Sequence, residues 1–471
     1  SDLPTGYYRP AQTFSYMLDY ALWAKEAFGY HLTNILLQIF NAAMVFFLCL
    51  ILFGTRGKSL FVASVFCVHP AFVPIVGYVS GRADLLGLSF ALVTVYSAVR
   101  FAARGKGIYW LWLSVPFYAL AVISKEYYLL TPVFILLYLF TFKCEPSNKK
   151  RLNIALSAMV SLAVFYAILR STVLNFHQNM GVIAEQPFIT RLAIFPWIMK
   201  NYIMMLVAPF HMSMEKKLVF DSLVEPRFVL SYLAPAGIAW LLYFFRKRKD
   251  SLRLFCLSWF VVGILPVCNI IIPLKAIWAD HWAYMSSVGF FALIASVYDI
   301  PNIAIRSNPL YRICALSLSL LYISYLSAVT ISENRYWRDE EVLYARILET
   351  SPHSARTIYN QGKVFEERGE KDRALESYNK AISMTSGEKA QYYNARGMLY
   401  KDMGNRERAL ADFEEAVKIA PGVALYRNNL GCIYAESNRV EDARREWGKT
   451  LEIDPEDELA AKNLALIGEK R

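Results

Sequence analysis

Paired cysteine chemistry is missing from this chain. Seven cysteines are spread over 471 residues, and most lie inside apolar runs, as Cys49, Cys67, Cys256, Cys268 and Cys314 do. No two are spaced as metal ligands are, and nothing suggests a disulfide framework, which argues against a stapled secreted domain or a zinc module. A secretory signal peptide is missing as well; the chain starts at Ser1 and the expectation is that its natural N-terminus lies upstream. Charge is thin between residues 31 and 330 and plentiful from 331 to 471. At 56% hydrophobic residues and a mean hydropathy of +0.31 the whole is too apolar for one soluble domain. These features describe a helical membrane domain followed by a soluble one. The net charge of +11 then reads partly as a topology signal rather than as a sign of nucleic-acid binding.

Residues 1–30 do not form a span. Pro10–Lys25 places Phe14, Leu18 and Leu22 at helical spacing, as in an amphipathic helix lying at a membrane interface. Apolar runs near the length of a bilayer crossing then follow at Ile35–Phe53, Leu60–Val79, Leu85–Ala103, Ile108–Ile123, Tyr127–Phe142 and Leu152–Leu174. Others are Phe228–Phe245, Leu252–Leu274, Trp282–Val297 and Leu310–Val329. The loops with Arg56 and Lys58, Arg104 and Lys106, Lys143 with Lys149–Arg151, and Arg246–Lys249 are expected on the cytoplasmic side. Alternate crossing puts residues 1–30, 80–84, 124–126 and 275–281 together on the other side. Ile189–Phe210 carries Arg191, Lys200 and Asn201, so 175–227 reads as one external loop with a helix in the interface.

The soluble part repeats. Gly362, Gly397 and Gly431 recur at steps of 35 and 34, followed by Ala374, Ala409 and Ala443 and then by Tyr378, Phe413 and Trp447. Pro421 and Pro455 close two units. Small residues where two helices meet, aromatics in the gap and proline at the turn form the tetratricopeptide pattern. The expected organisation is a membrane domain at 1–330, a connector and half-repeat at 331–354, and repeats at 355–471. Glu340–Thr350 is expected as a docking helix and Leu459–Ile467 as a terminal cap. Crossing parity sets the array on the side of the polar loops.

Those loops hold Arg9, His31, Arg82, Asp84, Lys125, Glu126, Asp280 and His281. Ionisable groups at membrane depth mark function by default. The plain reading is that Arg82 and Asp84 pair and cap a helical hairpin, and that His31 is a cap or interface residue. Independent capping would not favour one side of the membrane, so the shared side supports one site.

Several stretches carry a family resemblance. They are Tyr8-Arg9-Pro10, Asp19-Tyr20-Ala21-Leu22, Gly29-Tyr30-His31-Leu32-Thr33-Asn34, His69-Pro70, Gly81-Arg82-Ala83-Asp84-Leu85-Leu86, Ser124-Lys125-Glu126 and Ala279-Asp280-His281-Trp282-Ala283-Tyr284. In this order, with repeats behind them, they resemble the transmembrane, tetratricopeptide-containing O-mannosyltransferases and their bacterial relatives, among the GT-C glycosyltransferases. The resemblance implies an all-α fold, a GT-C-like helical domain followed by an α-solenoid. It also implies a polyprenyl- or dolichyl-phosphate sugar as donor, a protein hydroxyl as acceptor, and chemistry on the periplasmic or luminal face of a bacterial inner membrane or the endoplasmic reticulum. Family members carry an acidic pair after a first transmembrane helix, and this sequence begins downstream of both, so the main catalytic base is expected upstream of Ser1. The family usually has arginine where this chain has His281, a residue less reliably charged at neutral pH.

Cations in a partly dry site would stabilise the charge that grows on a leaving polyprenyl phosphate. Arg9, Arg82, Lys125 and His281 are the candidates to bind it, arginine being best for bidentate contact. Asp84, Glu126 and Asp280 are the carboxylates available to take the acceptor's proton, or else to orient the basic residues. Tyr8, His31, His69 and Tyr284 are candidate pocket walls, and an apolar groove between spans would hold the lipid tail. No metal set is legible, and a divalent ion stays open. Besides the lipid donor, the partners expected are membrane lipids and a protein held by the repeats. Two functions fit: a membrane glycosyltransferase whose repeats capture its acceptor, and an inactive membrane scaffold whose repeats recruit a partner.

Overall fold

All regular elements among the described residues are helices. The structure is a computed structural model; it describes residues 8–105, 107–172, 187–209, 226–270, 274, 277–297, 309–385 and 389–468, without the side chain of Arg227. The chain divides into two units, Ser1–Trp337 and Arg338–Arg471, so the division falls inside the short connector after the last apolar run.

In the first unit, five helical stretches are long and apolar enough to cross a membrane: Ala27–Phe53, Val79–Arg104, Pro146–Thr172, Phe228–Lys247 and Pro309–Arg338. The last has little of its surface buried, and Leu310, Ile313, Leu316, Leu318, Leu320 and Leu321 are all exposed. So large an apolar surface suits a lipid solvent and not water.

Other expected spans come out differently. The run Leu60–Val79 is not one helix. It bends by 47° between Arg56–Val68 and Pro70–Gly77. Proline lacks an N–H and pushes the residue before it out of the helical region. His69 accordingly sits at φ −71°, ψ 126°. Ile108–Ile123, Tyr127–Phe142 and Leu252–Leu274 form shorter helical pieces, Tyr109–Ser124, Glu126–Thr141 and Ser251–Val267. A helix of 16 residues such as Tyr109–Ser124 is about 24 Å long, short of a ~30 Å hydrocarbon core. Tyr284–Val297 is shorter still at 14 residues, and most of its side chains are buried. Such helices are apolar because they are packed in protein, which hydropathy alone does not distinguish from facing lipid.

The elements that build the site are α1 (Pro10–Trp23), α2 (Ala27–Phe53), α3 (Arg56–Val68), α4 (Arg82–Arg104), α5 (Tyr109–Ser124), α6 (Thr131–Thr141) and α7 (Pro146–Thr172). A further helix, Phe188–Val207, packs Ile194, Ile198, Tyr202 and Leu206 into the core. Most of the remainder of the expected external loop, 173–186 and 210–225, lies outside the described residues.

The second unit is a stack of antiparallel helix pairs. Ala355–Glu367 pairs with Lys371–Ser383, Ala390–Asp402 with Arg406–Ile419, and Ala424–Glu436 with Val440–Ile453. Helix Glu340–Thr350 precedes them and Glu458–Gly468 follows. Each repeat glycine accepts the ring of its own second helix. A Cβ on Gly362, Gly397 or Gly431 would stand 2.6–2.9 Å from Tyr378, Phe413 or Trp447. The three rings are buried, which is why the small residue and the aromatic recur together. Arg396 adds a bidentate pair with Asp412, at 2.8 and 2.7 Å, and Arg427 pairs with Glu446 at 2.7 Å, both joining the two helices of a repeat.

Candidate active site

The break in the helix at His69 and Pro70 releases backbone carbonyls in an apolar setting, where each needs a donor. Helix α2 supplies them. Asn34 Nδ2 donates to Val76 O and Tyr78 O at 3.2 Å, and Gln38 Nε2 donates to Phe66 O and Cys67 O at 3.2 and 3.3 Å. Asn41 Nδ2 donates to Leu85 O and to Tyr284 Oη, and receives Ser89 Oγ on its own oxygen. Asn34, Gln38 and Asn41 lie at i, i+4 and i+7, one polar stripe on an otherwise apolar helix.

This stripe sets the turn before α4. Gly81 there has no room for a side chain: a Cβ would stand 2.2 Å from Ile75 O. Arg82 follows and points inward. Its Nε donates to Asn34 Oδ1 at 2.8 Å, its Nη2 to Tyr30 O at 2.7 Å, and its Nη1 to the carboxylate of Asp19. The Arg82 side chain is 0% exposed and that of Asp19 is 6%. The expected partner, Asp84, is two residues along the same helix and faces another way, since i and i+2 do not share a face. Arg82 is thus enclosed in a lock between α1, α2 and α4, with no accessible surface for a phosphate.

Asp84 sits in the first turn of α4, where the helix dipole favours a carboxylate. Both its oxygens accept from Lys125 Nζ, at 2.6 and 2.7 Å. Lys125 ends α5, and the two side chains are 19% and 14% exposed, so this pair borders accessible space. The next residue, Glu126, lies between two arginines: Arg170 Nη1 is 3.0 Å from one oxygen and Arg9 Nη2 is 3.5 Å from the other. Burial pushes the Glu126 carboxyl up, but the charges of Arg9 and Arg170 outweigh it and hold it below the usual range.

His281 faces the Lys125–Asp84 pair. Burial lowers its imidazole to about 4, with Asp84 pulling the other way and Lys125 adding to the fall. A neutral ring there offers a phosphate a hydrogen bond rather than a fixed charge. Asp280, beside it on the turn Asp280–Ala283, is buried.

The four candidate pocket residues, His69, Tyr284, Tyr8 and His31, are not gathered into one wall. His69 is buried. Its Nδ1 accepts from Ala71 N at 3.2 Å, its Nε2 lies 3.3 Å from Leu206 O, and its ring packs on Phe72 and Phe291. It holds the bend in place and also forms part of a small apolar cleft of about 170 Å³ with Ile35, Gln38, Ile39, Phe72 and Thr330. Tyr284 is core: it bonds Gln38 and Asn41 and stacks on Phe66 at 5.2 Å. Tyr8 is exposed, in the segment before α1. His31 is partly buried in the first turns of α2.

The residues that sequence reasoning missed are Asp19, Gln38, Asn41 and Arg170. The polar stripe on α2 was visible as amides at helical spacing inside an apolar run. Arg170 was visible as a charge within the run Leu152–Leu174. Nothing in the sequence ties Asp19 to Arg82, 63 residues away.

Comparison with known proteins adds the following. Residues 355–387 and 394–458 match tetratricopeptide-repeat families. The protein O-mannosyl-transferase F38B6.6 of Caenorhabditis elegans is 26% identical over a stretch covering 80% of this chain and 54% of that protein. Human protein O-mannosyl-transferase TMTC3 is 23% identical over 95% of this chain and 54% of its own length, and human TMTC1 is 21% identical over 80% and 48%. The chain therefore spans about half the length of the curated relatives it matches. Among solved structures, one described as the crystal structure of MamA is 22% identical, covering 27% of this chain and 74% of its own, with a TM-score of 0.26. The chain is thus a homologue of the TMTC protein O-mannosyl-transferases and carries tetratricopeptide repeats.

Proposed function

We propose that this chain transfers mannose from a polyprenyl-phosphate donor to serine or threonine hydroxyls of a protein, on the periplasmic or luminal side of a membrane. The observation that carries the reading is the sequence similarity to named protein O-mannosyl-transferases, which runs through both the apolar helices and the repeats. The charged turns of the first unit supply chemistry that suits it. In the reaction the bond between the sugar's anomeric carbon and the phosphate oxygen breaks, its electron pair stays on the phosphate, and the acceptor oxygen takes its place on the sugar. The hydroxyl proton goes to a carboxylate. Lys125, oriented by both oxygens of Asp84, and Arg9 and Arg170, beside Glu126, are partly exposed cations that can offset the charge growing on the phosphate. Asp84 and Glu126 are partly exposed carboxylates and Asp280 is enclosed, so the first two are better placed to meet an acceptor. The repeats suit an extended segment of the acceptor protein.

The test is turnover. Purified protein in lipid is given polyprenyl-phosphate-mannose and a hydroxyl-bearing acceptor, and mannosylated product and free polyprenyl phosphate are measured. Both are expected from the natural sequence and both lost in Lys125→Ala with the fold intact. Absence of any turnover with lipid-phosphate sugars, in a folded protein that still binds a partner through its repeats, would favour the scaffold instead.

A further inference from the structure

The first helix of each repeat carries an asparagine at a recurring place. Asn360, Asn394, Asn429 and Asn463 follow one another at steps of 34, 35 and 34 residues. They lie in Ala355–Glu367, Ala390–Asp402, Ala424–Glu436 and the closing helix Glu458–Gly468. Helix propensity does not account for them, because the asparagine side chain competes with the backbone for hydrogen bonds and favours caps and turns. All four are half-buried. Contacts set three of them along one line. Asn429 Nδ2 donates to Asn394 Oδ1 at 2.8 Å, and Asn463 Nδ2 donates to Cys432 Sγ, one turn from Asn429, at 3.7 Å. Two turns further along the same two helices, Lys401 Nζ is 2.9 Å from Glu436 Oε1, so those charges cancel. A fifth asparagine, Asn428, stands three residues before Gly431, as Asn394 does before Gly397. It is 6% exposed, and its Oδ1 has no hydrogen-bond partner among the described residues. A side-chain amide has two donor hydrogens and two lone pairs. The bond from Asn429 to Asn394 uses one of each, so both residues keep a donor and an acceptor to offer.

We propose that this asparagine ladder binds the main chain of an extended polypeptide segment, which the repeats take by its backbone and not by its side-chain sequence. A peptide unit presents one N–H and one C=O, the complement of a side-chain amide. An extended strand points these groups sideways along its whole length, whereas a helix uses them internally. Packed helices stand about 8–10 Å apart, so a strand advancing about 3.3 Å per residue meets a new asparagine roughly every three residues. Neutral amides do not select for charge, so the side chains of the segment are left largely unread. The proposal rests on the reading of the repeats as the surface that holds the acceptor protein. It adds that the acceptor is held as unfolded chain.

The probe is a fluorescent, uncharged peptide of serine, threonine, alanine and glycine, about 15 residues and so close to 50 Å when extended. It is titrated onto the purified full chain in detergent. A scrambled order of the same residues is expected to bind within about twofold. Methylating alternate backbone nitrogens removes N–H donors and leaves every side chain in place, and should weaken binding about tenfold or more. Asn360→Ala should weaken binding of the plain peptide about two- to tenfold and shrink the effect of methylation, a coupling that a merely structural asparagine would not produce. Asn463→Ala, at the other end of the line, is the second variant, and melting temperatures establish that each fold persists. Lys363 is exposed one turn from Asn360, so salt is a further arm: affinity should hold from low to high ionic strength. No binding of the plain peptide, loss of binding on scrambling, equal binding of the methylated peptide, or an undiminished methylation effect in both variants would each overturn the proposal. So would a steep fall with salt, or tighter binding of an amphipathic helical peptide. Because mannosyl transfer is not read, failure of peptide binding and failure of the proposed activity remain separate outcomes.

Discussion

Arg82 lies in the sequence motif that most suggests a phosphate contact, yet the structure makes it a lock inside the protein. The two roles predict opposite results for Arg82→Ala. If the guanidinium touched the donor, the variant would fold normally and lose turnover. The observed contacts predict unfolding. The change strands Asp19 as a lone buried carboxylate and removes the donors that satisfy Asn34 Oδ1 and Tyr30 O. Removing one partner of a buried ion pair costs about 3–5 kcal/mol, mostly through the charge left behind. At roughly 2–4 °C per kcal/mol for a domain of this order of size, the expected fall in melting temperature is about 6–20 °C. Arg82→Lys should rescue little, since one ammonium cannot replace three directed contacts on different elements. Removing both charges together, with Asp19→Leu and Arg82→Met, should cost less than Arg82→Ala alone, because no charge is stranded. The assay is tryptophan fluorescence during heating of each purified variant in one detergent. An Arg82→Ala protein that melts with the natural sequence but no longer turns over would refute the lock.

The Glu126 ion pair should be acid-labile. A carboxyl held below its ordinary value of 4.5 stabilises the fold fully above that value and loses its contribution as the pH falls through the lower folded value. The stability gap between the natural sequence and Glu126→Gln should therefore close in acid, and a gap constant from pH 7 to 3 would count against the pair. Gly81→Ala should destabilise the turn before α4, because the added Cβ meets a backbone oxygen that cannot rotate away; normal melting of this variant would show the turn to be loose. Deleting 355–471 should lower transfer to a protein acceptor far more than transfer to a small peptide, and equal losses in a truncated protein of verified fold would argue that the repeats only stabilise. Single cysteines placed in the repeats should be labelled by an impermeant thiol reagent from the side opposite Arg56 and Lys150, and labelling from the same side would reverse the orientation.

The repeats were legible because their determinants are local and periodic. Gly397 and Phe413 meet across one helical hairpin, and the spacing alone brings them together. The apolar helices were legible as elements but not as crossings. Hydropathy registers that Tyr284–Val297 is apolar and says nothing of whether lipid or protein surrounds it. The bend at His69 was written in the sequence as His-Pro, yet its cost is met by Asn34 and Gln38, residues that a window average hides among leucines and isoleucines. The charged residues stand in the turns where the sequence puts them, but their pairing was not legible there. Arg82 and Asp84 are neighbours in sequence and partners of Asp19 and Lys125 in space. Pairing over 63 or 41 residues depends on helix packing, which no motif encodes.

These pairings order the charged turns by burial. Arg82 and Asp19, locked and dry, fix α1 and α2 against the start of α4. With that corner fixed, Asp84 emerges from the first turn of α4 and holds Lys125 at the end of α5, partly open. Glu126, one residue on, is the most exposed of the three carboxylates and the only one shared between two cations. The pairs therefore run from a buried end at Arg82 and Asp19 to a partly open end at Glu126. The residue with the strongest motif is then the one that keeps its neighbours in register.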